Sequence, residues 1–260
     1  MTMWRNTRWN RLLALAPGLT FIAAWIALLE VAARSGWTNR AFSPVPSEVG
    51  GRLWNVLVSP ALLDAIGATV GLLAAGYLLA CVTGILCGLV MGYSRTVYAL
   101  LEPTLELLRP IPKPALLPPL ILLLGLGAPM KIAIVFLGAL FPVLINTVQG
   151  VRTVDPVLVD VARTFRLGAP RTIFTVMLPA SLPMILAGMR VSLGLGLILV
   201  VLAEMLTGSH GLGAQLVDAQ RAFRVHEMYA WTVVLALVGL ALALGFDALE
   251  RRLIFWSSRR

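Results

Sequence analysis

Apolar residues run along this chain in blocks long enough to cross a lipid bilayer, separated by shorter polar stretches. The first block covers Leu12 to Ala33. A second runs from about Ile66 to Met91, a fourth from about Ile132 to Val148, a fifth from about Leu182 to Leu206 and a sixth from about Tyr229 to Leu249. The third is irregular: Pro110, Pro112, Pro114, Pro118 and Pro119 cannot all sit inside one regular helix. A broken helix leading into Leu120–Leu126 is expected there, followed by a loop at Gly127–Pro129. At membrane depth such backbone is tolerated only against protein or a water-filled cavity, so this segment belongs near a pathway. The pattern predicts an all-α membrane protein of about six transmembrane helices, in a single domain over residues 1–260 with its core at 64–249.

Composition agrees. Of 260 residues, 59% are apolar and 13% charged, and the mean hydropathy is +0.89. No single soluble core buries so many apolar side chains, which excludes a disordered chain, a disulfide-stapled secreted domain and most soluble enzymes. The net charge of +9 could suit nucleic acid, but the basic residues sit singly between apolar runs, so no nucleic-acid partner is expected. Their distribution instead gives an orientation. With the N-terminus inside, twelve basic residues fall on the inner side, including Arg5, Arg8 and Arg11, and six on the outer. That bias puts both termini (residues 1–11 and 250–260) and residues 149–181 in the cytoplasm. The first block is too long for the apolar region of a signal peptide and is read as a retained helix. Cys81 and Cys87 lie in one apolar run without a metal-ligand or disulfide pattern.

The inner loop at 149–181 carries the most local information. Asp155-Pro156 is a helix start, with Asp as N-cap and Pro at the first helical position. A short helix can run to about Phe165, with Gly168 as a left-handed stop. A second short helix is expected from Pro170, ending before Pro179. Val157, Val161 and Phe165 recur every four residues on one face of the first helix. That face could insert into a partner's groove or lie as a lid on the protein's own helices.

In this loop the sequence resembles a family. Asp160-Val161-Ala162, Val176 and Leu178-Pro179 are similar to the "EAA" loop of the permease subunits of ABC importers, which reads E-A-A, three residues, G, nine residues, I, one residue, L-P. Asp160 and Val161 depart from that pattern, and Arg166 occupies the Gly place, with Gly168 two residues on. Ser43-Pro44-Val45-Pro46-Ser47, Leu108-Arg109-Pro110-Ile111-Pro112, Gly125-Leu126-Gly127 and Gly188-Met189-Arg190 resemble the nitrate/sulfonate/taurine branch. The resemblance extends over about residues 40–255. It implies that the loop between the fourth and fifth spans is a coupling helix docking on a separate cytoplasmic ATPase. It also implies two ATPase subunits that bind ATP and Mg, a second permease copy in a homodimer, and a solute-binding protein outside an inner membrane. No cofactor is expected on this chain, since it contains no G-x-x-x-x-G-K-[ST] phosphate loop.

Charges inside the spans are the candidate pathway residues. Glu204 and Arg190 are fourteen positions apart in the fifth span, about 21 Å and roughly 40° on a helix. Arg190 or Arg109 could attract an anion and Glu204 could gate the outer end; a structural ion pair with another helix, or snorkelling of Arg190 to the inner surface, is the plainer reading. Small residues form ridges for close helix approach at Gly67, Gly71 and Ala75, at Ala80, Gly84, Gly88 and Gly92, and at Gly188, Ser192 and Gly196, the last against another helix of this chain or of a second copy. Gly208-Ser209-His210-Gly211-Leu212-Gly213 reads as an outer turn into a gate or short surface helix. His210 and His226 share no metal-binding frame, so no metal site is expected. Glu102 and Glu106, with Arg109, read as a salt-bridged helix face rather than a hydrolytic pair. An ion-gradient-driven secondary transporter is the alternative function, and would rest on Glu204.

Overall fold

The computed structural model describes residues 7–37 and 43–254, with the side chains of residues 7–16 and 19 also outside the description. The basic residues counted at Arg5, Arg8, Arg11, Arg40, Arg259 and Arg260 therefore lie outside the described residues or side chains. The chain divides into two compact units: residues 1–62 with 216–234, and residues 63–215 with 235–260.

In the first unit, α1 (Thr7–Arg34) stands where the first span was expected. Its Phe21, Trp25 and Val31 are exposed, as lipid-facing residues must be. α2 (Pro46–Leu57) was not anticipated; Pro46 at its first position was the available signal. The two are tied through Glu30, whose carboxylate accepts from the Ser47 N–H at 3.0 Å and the Ser47 hydroxyl at 2.8 Å.

The second unit holds the helical core. Its elements are α3 (Pro60–Tyr93), α4 (Arg95–Leu108), a 3₁₀ turn at Lys113–Leu116, α5 (Leu117–Leu124) and α6 (Ala128–Arg152). α7 (Pro156–Thr164), α8 (Ala169–Thr172), a π turn at Ile173–Met177, α9 (Leu178–Thr207), α10 (Leu212–Arg221) and α11 (Val225–Leu253) follow. α10 and α11 each run from one unit into the other. Among the described residues, four helices are long and apolar enough to cross a membrane: α3, α6, the continuous stretch Ala169–Thr207, and α11. α4 with Lys113–Leu124 forms a fifth, bent by 86°.

The helices outrun the apolar blocks that predicted them. α6 starts at Ala128, taking Pro129 into its first turn where the expected loop ended. The second short helix expected in the 149–181 loop does not stop before Pro179 either. It passes through the π turn into α9, with Pro179 in that helix's first turn. A π turn shifts the hydrogen-bond register by one residue, and this relieves the clash a proline otherwise makes with the preceding turn.

The core rests on close approach at small residues. A side chain on Gly76, Gly84, Gly88 or Gly92 of α3 would meet Val135, Val143, Thr147 or Val151 of α6 respectively. Each β-branched residue lies 59 positions after its glycine, and Ala80 and Ala139, both fully buried, keep the register. The numbering rises together along both helices, so α3 and α6 run parallel. A parallel pair needs a crossing between them, which makes α4–α5 a broken span rather than a hairpin returning to its own side. α9 packs antiparallel on α6, with Gly188 against Asn146 and Pro142, and Gly138 against Leu199. The ridge of Gly188, Ser192 and Gly196 is therefore filled by this chain's own helices and leaves no place there for a second copy. The Gly67–Gly71 ridge has no neighbour within 4 Å of either position.

A contrast between two glycines of α3 checks this seam. A Cβ at Gly76 would lie 2.7 Å from the Ile132 carbonyl, which is backbone and cannot step aside. Gly76→Ala should lower thermal stability in detergent by about 1–3 kcal/mol. Gly67→Ala, in open space, should be neutral or add about 0.5 kcal/mol through helix propensity.

Candidate functional site

Three regions carry the expected site residues: the α7 loop, the break in the third span and the outer end of α9.

α7 begins as expected. The Asp155 carboxylate accepts from the Val157 N–H at 2.9 Å, and Pro156 follows at the first position. Ala162 is buried, and Val159 packs with Leu89, Val151, Met177 and Leu178. The other face is open: Val157, Val161 and Phe165 are 63%, 47% and 75% exposed. An exposure of that size removes the lid reading within this chain. Asp160 pairs with Arg163 at 3.1 Å on the exposed surface.

The stop of α7 differs from the expectation. Gly168 has φ −66° and ψ 159°, an extended conformation open to any residue. The left-handed residue is Arg166, at φ 55°. The Arg166 N–H donates to the Arg163 carbonyl at 2.8 Å and the Leu167 N–H to the Ala162 carbonyl at 3.0 Å, the paired bonds of a Schellman stop. The left-handed conformation therefore falls at the position where the EAA pattern carries glycine, and Arg fills it at a steric cost.

The third-span break lies midway along α6. Tyr98 of α4 stacks under Arg152 at the end of α6, with the Arg152 guanidinium 4.0 Å from the ring centroid. Leu105 packs with Leu144 and Val148. Leu117 reaches Met130 and Ile134 at the opposite end. Between them, Lys113 Nζ lies 4.2 Å from the Phe141 ring centroid. Arg109 caps α4, exposed and 3.5 Å from Glu106. Glu102 accepts from the Tyr98 hydroxyl. Below the break, α4 and α6 enclose a cleft of about 380 Å³ whose walls include Tyr98, Glu102, Glu106, Gln149 and Arg152.

Arg190 and Glu204 are not brought together. Arg190 Nη2 lies 2.5 Å from Asp247 Oδ1 and 2.6 Å from Glu250 Oε2 on α11. Two carboxylates on one guanidinium make this the structural ion pair of the plainer reading, and leave no positive charge there for an anion. Glu204 is fully buried. Its carboxylate accepts from the Thr69 hydroxyl at 2.9 Å and the Gly213 N–H at 3.0 Å. The same Thr69 oxygen accepts from the Leu212 N–H at 2.9 Å. Gly211, at φ +136°, passes so close to the Glu204 carboxyl that any side chain would collide with it. Lys131, counted from sequence as an outer-surface charge, is buried and donates to Ser209 Oγ at 2.5 Å. Glu204 is thus an anchor for the loop entering α10, and its carboxylate is taken up by these hydrogen bonds rather than left free for a coupling ion. Lys113 was overlooked in the sequence because it stands among prolines with no acidic neighbour to mark it.

Two substitutions check these assignments. Thr69→Val strips a hydroxyl that serves two buried polar groups and should cost about 1–3 kcal/mol in detergent melts, whereas Thr69→Ser should be tolerated. Arg166→Gly relieves the left-handed strain and should raise stability by about 1 kcal/mol in the same melts.

Comparison with known proteins gives the family. The family described as "Binding-protein-dependent transport system inner membrane component" matches residues 80–255. The chain is 34% identical to the putative aliphatic sulfonates transport permease SsuC of Bacillus subtilis, over 92% of this chain and 87% of that protein. It is 32% identical to the taurine transport system permease TauC of Escherichia coli (83% and 80% covered) and to the nitrate import permease NrtB of Leptolyngbya laminosa (76% and 74%). A chain of the MetNI methionine ABC transporter in an inward-facing conformation shares the fold, at TM-score 0.66 and 16% identity over 74% of this chain and 96% of that one. The helical core with its broken third span has the fold of an ABC importer permease chain, and this chain belongs to the binding-protein-dependent inner membrane component family.

Proposed function

We propose that this chain forms the translocation pathway of an ABC importer for a small anion of the sulfonate, taurine or nitrate kind. Two copies would pair in the inner membrane with both termini in the cytoplasm, each carrying one of two ATPase subunits that bind ATP and Mg. A solute-binding protein would deliver the anion to the outer face. The names of the SsuC, TauC and NrtB relatives support the substrate class. The cations at the third-span break, Arg109 and Lys113, suit an anion.

The observation that carries the reading is the exposed apolar face of α7. Val157, Val161 and Phe165 stand in solvent on a helix whose opposite face is packed. Such a face suits insertion into a groove of the ATPase. Val159 packs with Val151 of α6 and with Met177 and Leu178 leading into α9. Closure of the ATPase pair on ATP would move α7, and this contact would pass the motion to α6 and α9 as a rigid body. The pathway then opens alternately to the two sides.

The test is copurification in mild detergent with mass spectrometry of what accompanies the chain. The wild type should bring down a protein with a phosphate-loop motif. Phe165→Asp or Val161→Asp should weaken that docking by about 2 kcal/mol or more, because a charge would enter an apolar groove. ATPase recovered at wild-type stoichiometry with both variants would remove this face as the contact.

A further inference from the structure

Among the described residues, Arg190, Lys131 and Lys113 are cations within or beside the spans, and they differ in how their charge is met. Arg190 is held by Asp247 and Glu250. Lys131 is buried beside Ser209, with Glu204 as the nearby opposite charge. Lys113 has no carboxylate partner among the described residues. It donates one hydrogen bond, to the Leu108 carbonyl at 2.9 Å, and rests on the face of Phe141. The Leu108 carbonyl needs that donor because residue 112, its partner in a continuing helix, is a proline without an N–H. An ammonium has three donors, so two remain.

Its depth makes this unusual. Phe141 stands near the middle of α6, which spans Ala128–Arg152, so Lys113 lies about 20 Å from the start of that helix. Pro110, Ile111 and Pro112 beside it are exposed in the single chain. Irregular backbone at mid-depth cannot face hydrocarbon, nor can an uncompensated ammonium without a large penalty. The exposed side of the break must therefore lie against protein or water, and an ammonium with two unused donors suits the water-lined pathway of the importer proposed above.

We propose that Lys113 is a substrate-contacting residue, its ammonium at the mid-membrane break between α4 and α5 serving as a binding point for the anionic group of the cargo. This rests on the anion-importer reading above. The Leu108 carbonyl and the Phe141 ring hold the side chain in place, and the free N–H donors meet a sulfonate or nitrate oxygen as it passes. A single weakly compensated charge suits transit, since a site must bind well enough to admit an ion and loosely enough to release it.

The experiment uses the permease–ATPase complex in proteoliposomes with its binding protein outside, and measures ATP-driven uptake of radiolabelled taurine, ethanesulfonate or nitrate. If the wild type moves none of the three with ATP, the anion-importer reading falls and this inference with it. If it moves one, Lys113→Gln, which keeps a donor for Leu108 but loses the charge, should lower that uptake about tenfold or more. Lys113→Arg should retain most of it. Lys113→Cys, made with Cys81→Ala and Cys87→Ala, should recover uptake after an aminoethyl thiosulfonate reagent and not after the sulfonatoethyl one. Wild-type uptake by Lys113→Gln, an equal loss in Lys113→Arg, or a thiol that neither water-soluble reagent reaches would overturn the assignment.

Discussion

Everything in the core depends on how closely three helices approach. α3 and α9 both lie against α6, and at each contact a glycine or alanine on one helix receives a side chain or backbone carbonyl of the other. In lipid there is no hydrophobic gain from bringing apolar helices together, so dispersion at short range must hold them. The seam of Gly76, Gly84, Gly88 and Gly92 against β-branched residues of α6 supplies that range, and stiff Val and Thr side chains lose little entropy in meeting it. The result is a closely packed block of three helices.

That close packing bears on the proposed role of α7. As a coupling helix it would transmit force only if packed on something stiff. Ala162 and Val159 bind α7 to the inner end of the block, while Val157, Val161 and Phe165 are left for a partner. The π turn at Ile173–Met177 joins the loop to α9 without interrupting the helix, so displacement of α7 is not absorbed at a hinge there. At the outer end, Glu204 and Thr69 tie the turn into α10 to α9 and α3.

Charge is arranged by depth. The inner end pairs Arg190 with acids of α11, the outer end buries Glu204 and Lys131, and the break in the third span holds Lys113 and Arg109 between them. In the middle layer Lys113 keeps its positive charge without a carboxylate partner among the described residues. The prolines that break the helix beside it also require surroundings other than hydrocarbon.

The sequence by itself determined the apolar spans of the core, the proline break and the start of α7, because these follow from local chemistry: apolar length, missing N–H groups and an Asp-Pro cap. It placed Val157, Val161 and Phe165 on one face for the same reason. It misplaced the ends of the spans, since polarity marks where lipid stops while hydrogen bonding decides where a helix stops, as at Ala128 and Pro179. It put the left-handed residue at Gly168, because composition favours glycine there, whereas the number of residues left after α7 closes put it at Arg166. The partners of Arg190, Glu204 and Lys131, and the depth of Lys113, were decided only by the tertiary structure. Each depends on which residue lies opposite on a helix distant in sequence, and no local pattern encodes that register.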